Sequence, residues 1–598
     1  MSPKVKPSSR TRTKSEARLT GIGVKNFRAF EDEVYLQVSP ITLLFGANSA
    51  GKTSILNALK LLRQSAFRRN ITVRGRDVDL GRAYDLANRN SPDSPIKIRV
   101  DLSNVHASVP TGHLMLADWM RSSSGDRTCG LGIEIIHAQD ELRVSAIELF
   151  IGSSKVPILR WALESNPTDE QRGSQRPFEE MSADFVNKDH PIWKWFVSEF
   201  GAETIVGMAL MLCRDPYDLE EEVRLDLPGI EVVMPDLNGL FSALVQESRE
   251  HYLGALLPPA TEGGIPIPAW IPEETKLFEA GPETDFVRSL LDKAKLALKG
   301  NAGAQYASLL ADANRFTRLE VRSWVPVNAS VSNPLVRQHP LWEAWSKNAP
   351  SINVAFEVCG IASLVRELLD RMQVISADRK VSQRYYVQGD SFSENSVGSS
   401  SVSLSRLLSH EDPQRVLDKV NARLTQSEIG IQYDVVKWDP PVHAGSMPSV
   451  LAFTVRDKDG RSRSITDVGR GTQDLLPIAL TLLESASFKG SSLVLIEEPE
   501  SHLHPALQQA VGSFLASIAS EAHSTLIVET HSEAMLKRIM SHLGSDRMPH
   551  LSADKVSLSY VSRSADSSSI EQIRVDNNGR VVDEWPFAAR RDGFAPLE

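Results

Sequence analysis

The chain has 598 residues, a hydrophobic fraction of 41%, a charged fraction of 24% and a formal net charge of −10. These values predict two or three globular domains and argue against a uniformly basic nucleic-acid binder, although local basic patches stay compatible with them. The three cysteines have no paired spacing, so a disulfide framework is not indicated and a cytoplasmic location is expected. No apolar run approaches the roughly 20 residues of a membrane helix, which predicts a protein without membrane spans.

The N-terminal segment, residues 1–18, is basic and rich in serine and proline. It has almost no apolar side chains, which predicts a disordered tail. Such a tail is either simply solvated or an arm that touches nucleic acid. After it, short β-rich runs broken by Gly, Asn and Pro predict strands within 19–30, 34–38 and 41–45.

The third of these runs leads directly into Gly46–Thr53, which fits the phosphate-binding pattern G-x-x-x-x-G-K-[ST]. Residues 52–63 follow with apolar side chains at a helical period, so the loop has the strand–loop–helix context of a nucleotide site. In such a loop, main-chain N–H groups surround the β-phosphate, Lys52 reaches the β- and γ-phosphates, and the Thr53 hydroxyl is a ligand of Mg²⁺. The residues expected to bind ATP here are Gly46, Ala47, Asn48, Ser49, Ala50, Gly51, Lys52, Thr53 and Ser54.

The region 106–360 has a different character. It contains helical patterns such as 285–298 and proline-rich loops such as 257–272. We therefore expect an inserted, mainly helical arm that separates an N-terminal lobe, 19–105, from the rest. Its scattered histidines, including His190 and His251, have no partner at a metal-ligand spacing and are interpreted as partly buried polar residues.

The C-terminal lobe, 361–598, returns to β-rich sequence. A β-rich segment at 374–386 is followed by a Ser/Gly-rich stretch, 389–403, with the composition of a mobile loop. A helix at 413–424 and strands at 429–437 and 450–455 are expected next. The last part of the lobe, from Val556, has the pattern of a closing β-meander.

Two apolar runs near the end of the chain finish in polar side chains. Leu493–Ile496 is followed by Glu497 and Glu498, which suit Mg²⁺ binding, directly or through water, and activation of the attacking water, respectively. His531 follows the second run and could sense the γ-phosphate if the two strands are neighbours. A zinc-type site built from His502 and His504 is disfavoured, because no further nitrogen or sulfur ligand is suitably spaced.

Together these motifs resemble the ABC/SMC-type ATPases of the RecF and OLD group, over residues 19–105 and 365–598. The resemblance extends to stand-alone AAA-type ATPases of bacterial phage-defence operons, such as the ATPase subunit of the Septu system. It rests on the segments VKNFRAF, FGANSAGKTS, GRGTQ, IEEPESHLHP and ETHSE. Two features depart from the common pattern: Glu497 replaces the usual first aspartate, and the signature is not SGGQ. The position of the Q-loop is open between Gln64 and 79–81.

The resemblance implies an α/β ABC-type head, a mixed β-sheet with a P-loop, split by the insertion. It also implies that the signature motif contacts ATP held by another protomer, so that two ATP molecules and Mg²⁺ close a homodimer or higher oligomer. The signature residues are Gly469, Arg470, Gly471, Thr472 and Gln473. ATP hydrolysis would then control a separate nuclease or other effector, with DNA as a further candidate partner. Three alternatives stay open: a single-chain OLD-like nuclease, a RecF-like DNA-repair ATPase and a scaffold that binds ATP without hydrolysing it.

Overall fold

The computed structural model describes residues 17–66, 70–105, 119, 128–138, 141–152, 154–163, 179–187, 190–192, 317–321, 324–331, 354–377, 379, 383–388, 400–439, 448–456, 460–488, 490–521, 524–564 and 567–586. The chain divides into two units. Unit 1 comprises Met1–Ser108, Ile133–Val144 and Leu364–Glu598, and unit 2 comprises Val109–Gly132 and Ser145–Ser363. Unit 1 therefore combines residues of both expected lobes with a short stretch, 133–144, that the sequence placed in the insertion.

The strands are β1 (Arg18–Lys25), β2 (Val34–Gln37), β3 (Ile41–Phe45), β4 (Ile96–Ser103), β5 (Thr128–Ala138), β6 (Glu141–Ile151), β7 (Leu159–Leu163), β8 (Glu179–Phe185), β9 (Thr317–Val321), β10 (Pro326–Val331), β11 (Gln373–Ile375), β12 (Tyr386–Val387), β13 (Gln432–Trp438), β14 (Val450–Arg456), β15 (Ser462–Ser464), β16 (Ser492–Glu497), β17 (Ser524–Thr530), β18 (Val556–Arg563) and β19 (Ser568–Ile573). The helices are α1 (Lys52–Ser65), α2 (Val354–Asp370), α3 (Ser400–Ser409), α4 (Pro413–Gln426), α5 (Arg470–Ser487), α6 (Pro505–Glu521) and α7 (Glu533–Met540).

The central sheet of unit 1 has the strand order β11-β16-β17-β3-β18-β19. All neighbouring pairs are parallel except β18 with β19. Every residue of β3 and of β17 is buried, as expected for parallel strands that are covered on both faces. The carboxyl ends of β3, β16 and β17 therefore lie at the same edge of the sheet, and the segments that follow these strands meet there. This mixed α/β sheet with its P-loop confirms the predicted fold class of unit 1.

The loop between β3 and α1 requires glycine at its two ends. Gly46 and Gly51 have φ values of 150° and 108°, and Ser49 also lies in the left-handed region at 61°. A Cβ at Gly46 would lie 2.2 Å from the main-chain oxygen of Val561 on β18. A side chain at Gly46 is excluded both by the backbone conformation and by this close approach, so the loop can fold only around glycine.

The C-terminal segment packs against the end of β3. Trp585 is buried and stacks on Phe45 with ring centroids 5.6 Å apart and an interplanar angle of 24°. Tyr560 on β18 contacts the same Phe45 ring at 5.2 Å. The residues that close the expected β-meander therefore help to fix the strand that leads into the P-loop.

A smaller sheet of unit 1 consists of β12, β14 and β13, with β15 paired to β14. Side chains of α4 cover the free edge of β13. The Asn421 amide accepts from Tyr433 N and donates to Tyr433 O, both at 2.8 Å, and the Gln414 amide oxygen accepts from Val435 N at 2.9 Å. These amides satisfy main-chain groups that a further strand would otherwise pair with.

Unit 2 contains the antiparallel pairs of β7 with β6 and β8, and of β9 with β8 and β10. The prediction of a mainly helical insertion is therefore wrong for its described residues between 128 and 331. Alternation in Glu141–Ala146, where Leu142, Val144 and Ala146 are buried, is the strand signal that this prediction overlooked. The segments 257–272 and 285–298 lie outside the described residues, as do His251 and residues 1–16.

One further difference concerns the C-terminal lobe. Residues 400–403 of the expected mobile loop belong to α3, where buried Ser403 hydrogen-bonds to Thr481 at 3.0 Å and to Glu484 at 3.0 Å. The remainder of that stretch lies outside the described residues. Within the described part of the chain, no helix is long and apolar enough to cross a membrane.

Candidate functional site

Three segments of unit 1 meet at the carboxyl edge of the central sheet: the glycine loop after β3, the turn after β16 and the turn after β17. Since β17 lies between β3 and β16, it places His531 between the loop and Glu498. The Nε2 atom of His531 lies 3.9 Å from Oε1 of Glu498, and the imidazole hydrogen-bonds to the backbone of Gly46. The sequence-predicted residues of the loop, the carboxylates after β16 and His531 thus share one site.

The side chain of Lys52 hydrogen-bonds to the glycine loop itself. Its Nζ donates to the main-chain oxygens of Gly46 at 3.0 Å and Ala47 at 2.7 Å. Burial lowers the pKa of Lys52, and the nearby carboxylates, chiefly Glu529, oppose this shift. A phosphate that enters the loop would offer the ammonium charged oxygens in place of these two carbonyls.

Thr53 is paired with a carboxylate that the sequence analysis did not select. Its hydroxyl donates to Oε1 of Glu529, the penultimate residue of β17, at 2.8 Å. Glu529 is 4% exposed, and its Oε2 has no hydrogen-bond partner among the described residues. A hydroxyl, together with a carboxylate whose second oxygen accepts no hydrogen bond among the described residues, provides oxygen ligands that suit Mg²⁺. Thr53 and Glu529 therefore fit the metal expected at this position.

Glu497, the carboxylate selected from the sequence for Mg²⁺, has a different direct partner. Its Oε1 forms a salt bridge with Lys60 of α1, and both side chains are largely buried. Its Oε2 accepts a long hydrogen bond from Ala377 N at 3.4 Å. Because Lys60 compensates the charge of Glu497, a role for Glu497 toward the metal stays a prediction, and Glu529 is the carboxylate that touches Thr53.

Glu498 occupies a left-handed turn with φ of 42°. Its main-chain N–H donates to Glu529 O at 2.8 Å, and its Oε2 accepts from the Ser501 hydroxyl at 3.0 Å. The side chain remains 41% exposed. A carboxylate that is oriented on one oxygen and open to solvent is suited to accept a proton from water.

His531 is positioned by a buried carboxylate. Its main-chain N–H donates to Glu500 Oε1, and burial raises the pKa of Glu500. Burial, followed by the charge of Lys52, lowers the pKa of the His531 imidazole, while Glu498 raises it. The net shift favours a neutral imidazole at neutral pH, which can donate one hydrogen bond to a phosphate or a water.

The predicted signature residues form the start of α5. Gly469 is exposed at the helix N-terminus, and its carbonyl oxygen accepts from Thr472 N at 3.0 Å and Gln473 N at 3.3 Å. Gly471 is buried, and a Cβ there would lie 2.5 Å from His502 O. The exposed N-terminus of α5 carries a partial positive charge that attracts anions. Gly471, in contrast, allows α5 to pack closely against the main chain at His502.

The remaining candidates do not gather into a second site. His502 and His504 are exposed, and the described residues contain no group of three or more His, Cys, Asp or Glu side chains that could hold a metal ion. The side-chain amide of Gln64, one of the Q-loop candidates, donates to Thr72 O and accepts from Val78 N. It therefore stabilises the segment that follows α1. His190 accepts from Ile192 N at 3.2 Å, which is a local structural role.

Sequence reasoning missed three charged residues at the site: Lys60, Glu529 and Arg379, whose guanidinium contacts the turn after β16. Glu529 carried the same signal that selected Glu497, a carboxylate at the end of an apolar run. Lys60 lies two turns after Lys52 on an otherwise apolar helix face. Arg379 gave no comparable signal, because its partners are main-chain carbonyls distant in sequence.

Glu529 gives the unligated protein a pH-dependent stability. Burial raises its pKa from 4.5 to about 7, against the opposing effects of Thr53 and Lys52. In the unfolded chain the carboxyl titrates near its ordinary value, so the folded state binds the extra proton between these two pH values. The stability that this proton provides is fully present below pH 4.5 and is lost as the pH rises through 7.

We expect stability to fall with rising pH by about 3 kcal/mol more in the wild type than in Glu529→Gln, because one pKa unit corresponds to about 1.4 kcal/mol. Chemical denaturation of both proteins in EDTA, without nucleotide, at several pH values between 4.5 and 8 measures the difference. Equal pH slopes for the two proteins would show that Glu529 is not protonated in the folded site.

Two family models match the two parts of the chain. An "AAA ATPase domain" matches residues 18–173, and an "AAA domain, putative AbiEii toxin, Type IV TA system" matches residues 358–536. The Old nuclease of Escherichia phage P2 is 30% identical over 125 residues, which are 20% of this chain and 21% of that protein. Both parts of the chain are therefore similar to ATPase domains of the AAA class. The two domain models confirm the predicted ATPase class, and the 125-residue match agrees with the predicted likeness to the OLD group, whereas none of these matches concerns the Septu subunit.

The chain spans about a fifth of the length of the phage relative that it matches. Among solved structures, an SMC head domain of Pyrococcus furiosus bound to the C-terminal domain of ScpA is 12% identical with a TM-score of 0.36, over 93% of this chain and 96% of that chain. The SMC head domain of Thermotoga maritima is 10% identical with a TM-score of 0.32, over 93% of this chain and 100% of that one. The fold assignment rests on the strand order and the two family models.

Proposed function

We propose that this protein binds ATP at the glycine loop, hydrolyses it and uses the cycle as a switch. The observation that carries the proposal is the convergence of Lys52, Glu498 and His531 at one sheet edge, from segments near both ends of the chain. A buried lysine, an oriented but exposed carboxylate and a neutral imidazole are the groups that phosphoryl transfer to water needs.

Each of these residues has a distinct role. Lys52 leaves the carbonyls of Gly46 and Ala47 and binds the β- and γ-phosphate oxygens. Glu498 orients the attacking water and accepts its proton as the water oxygen bonds to the γ-phosphorus and the bond to ADP breaks. Neutral His531 donates a hydrogen bond to the γ-phosphate. Thr53 and Glu529 would hold Mg²⁺, with Glu497 as the further predicted ligand, and the bound ion would supply neutralisation of phosphate charge.

The switch is proposed to close a homodimer or higher oligomer. The exposed N-terminus of α5, with Gly469 at its start, lies free to meet a γ-phosphate that belongs to another protomer. Because such a γ-phosphate contacts both protomers, part of the binding free energy of ATP would drive closure. Hydrolysis would then release the protomers.

The output of the switch is proposed to be a separate effector in a bacterial defence system, such as a nuclease or toxic subunit, with DNA as a candidate trigger. The description of the C-terminal family model in terms of a toxin–antitoxin system supports this role. A Septu-like arrangement is one form of it and rests on the sequence resemblance alone.

Steady-state phosphate release by the purified chain, with and without DNA, tests the proposal. We expect saturable, Mg²⁺-dependent release of phosphate from ATP. Nucleotide binding without any turnover, under all these conditions, would instead favour the ATP-dependent scaffold.

We expect the pure chain to leave DNA uncut. The net charge of −10 fits this expectation, because tight sequence-independent binding to DNA requires many Lys and Arg contacts. The test incubates the chain with plasmid, phage DNA and tRNA in Mg²⁺ or Mn²⁺, with and without ATP. Cleavage that co-purifies with the chain and persists in Glu498→Gln protein would reveal a nuclease site in this chain and contradict the division of labour.

A further inference from the structure

Arg379 is a fully buried arginine beside the catalytic turn, in the segment that follows β11. Its two terminal nitrogens donate to consecutive main-chain carbonyls. Nη1 lies 3.2 Å from Glu497 O, and Nη2 lies 2.7 Å from Glu498 O. A planar guanidinium presents parallel donors in a fixed geometry, so it fixes the direction of two carbonyl groups at once.

The turn that Arg379 holds is strained. Glu498 has a φ of 42°, and this left-handed conformation is unfavourable for a residue with a Cβ. On one side, the N–H of Glu498 donates to Glu529 O on β17. On the other side, Arg379 binds the two carbonyls. The direction in which the Glu498 carboxylate leaves the turn is therefore set by β17 and Arg379 together.

The charge of Arg379 also faces the helix that begins at the signature. Burial lowers the pKa of Arg379, and Asp474 is the carboxylate that opposes this shift most, followed by Glu500. Asp474 lies in the first turns of α5 and is 2% exposed. The charge of this buried arginine is thus compensated by carboxylates of the catalytic turn and of α5.

We propose that Arg379 is a positioning residue that fixes Glu498 for hydrolysis. This inference rests on the proposed ATPase function. Arg379 acts on the water-activating carboxylate and not on the loop that binds the phosphates. Its loss should therefore lower kcat and leave ATP binding nearly unchanged.

The experiment compares Arg379→Gln and Arg379→Lys with the wild type. Arg371→Gln is the matched control, because Arg371 is a more exposed arginine that pairs with Glu367 on α2. Phosphate release gives kcat and KM, and a fluorescent ATP analogue gives Kd. We expect kcat to fall about 100-fold in Arg379→Gln, as for other small misplacements of catalytic groups, with Kd within about threefold. Arg379→Lys, which retains one donor group, should keep more activity, and Arg371→Gln should match the wild type.

A double variant separates positioning from general damage. In a Glu498→Gln background, Arg379→Gln should lower the residual kcat by less than about threefold, because the group that it positions is already gone. A full 100-fold loss in that background, or wild-type kcat in folded Arg379→Lys and Arg379→Gln, would overturn the inference. If Arg379→Gln does not fold, Arg379→Lys in both backgrounds decides by the same criteria. Absence of turnover in the wild type would contradict the proposed function itself, which is a distinguishable result.

Discussion

Glu498→Gln is expected to bind ATP as tightly as the wild type and to hydrolyse it at least about a thousandfold more slowly, within the range that general-base catalysis contributes. Glutamine keeps the shape of the side chain and can still accept from the Ser501 hydroxyl, but it cannot take a proton from water. The ATP-bound oligomer should therefore accumulate, and size-exclusion chromatography with ATP and Mg²⁺ would detect it.

Two variants serve as references for this result. Lys52→Ala should lose ATP binding and remain in the ATP-free oligomeric state, because it lacks the buried ammonium at the phosphate site. Glu571→Gln, an exposed carboxylate on β19, should behave as the wild type. Near-normal turnover by Glu498→Gln would show that another group activates the water, with Glu529 the next candidate.

The second large effect is complementation between two inactive proteins. We expect Gly469→Asp and Lys52→Ala to be inactive separately and to recover activity when mixed. An aspartate at the exposed start of α5 would repel a γ-phosphate held by the partner, by a few kcal/mol at moderate dielectric. A mixed dimer keeps one site with an intact Lys52 and an intact Gly469. Random pairing would restore about a quarter of the wild-type rate in a two-fold symmetric dimer.

Gly469 is the position for this test, although the sequence also marks Gly471 as a signature glycine. A Cβ at Gly471 would lie 2.5 Å from His502 O, so a substitution there would disturb its own chain. A Cβ at Gly469 would meet no atom within 4 Å among the described residues. If no activity returns in a mixture shown by native mass spectrometry to contain mixed dimers, the shared ATP site is wrong.

The sequence predicted the parts of the site that local patterns encode. The glycine loop lies between a buried strand and a helix, and both patterns are visible in the local sequence. Glu498 and His531 follow apolar runs, so their positions at the ends of strands could also be predicted from the sequence. The side chains that contact the site residues could not be predicted from local sequence patterns. Thr53 pairs with Glu529 and Lys60 pairs with Glu497 only because β17 and β16 lie in order beside β3, and strand order depends on packing across the whole unit.

For the insertion, the local sequence patterns themselves were misinterpreted. Proline-rich loops and helical periods at 257–298 dominated the interpretation, while the strand signal of β6 is a short alternation of buried and less buried side chains. The unit boundaries also fall inside these two strands, so 133–144 belongs to unit 1. A composition change along the chain marks a domain boundary only when strands do not cross it.

The position of β3 between β17 and β18 has a consequence for biosynthesis. This strand, ITLLF, leaves the ribosome well before both of its neighbours, which are encoded from Ser524 onward. At about 5–20 residues per second, tens of seconds of translation separate the strand from its partners. Throughout that interval an apolar strand has two unpaired edges, which is the condition that favours aggregation. The nascent protein should therefore depend on chaperones that bind its first hundred residues, and a premature stop before β17 should yield an insoluble product instead of a smaller ATPase.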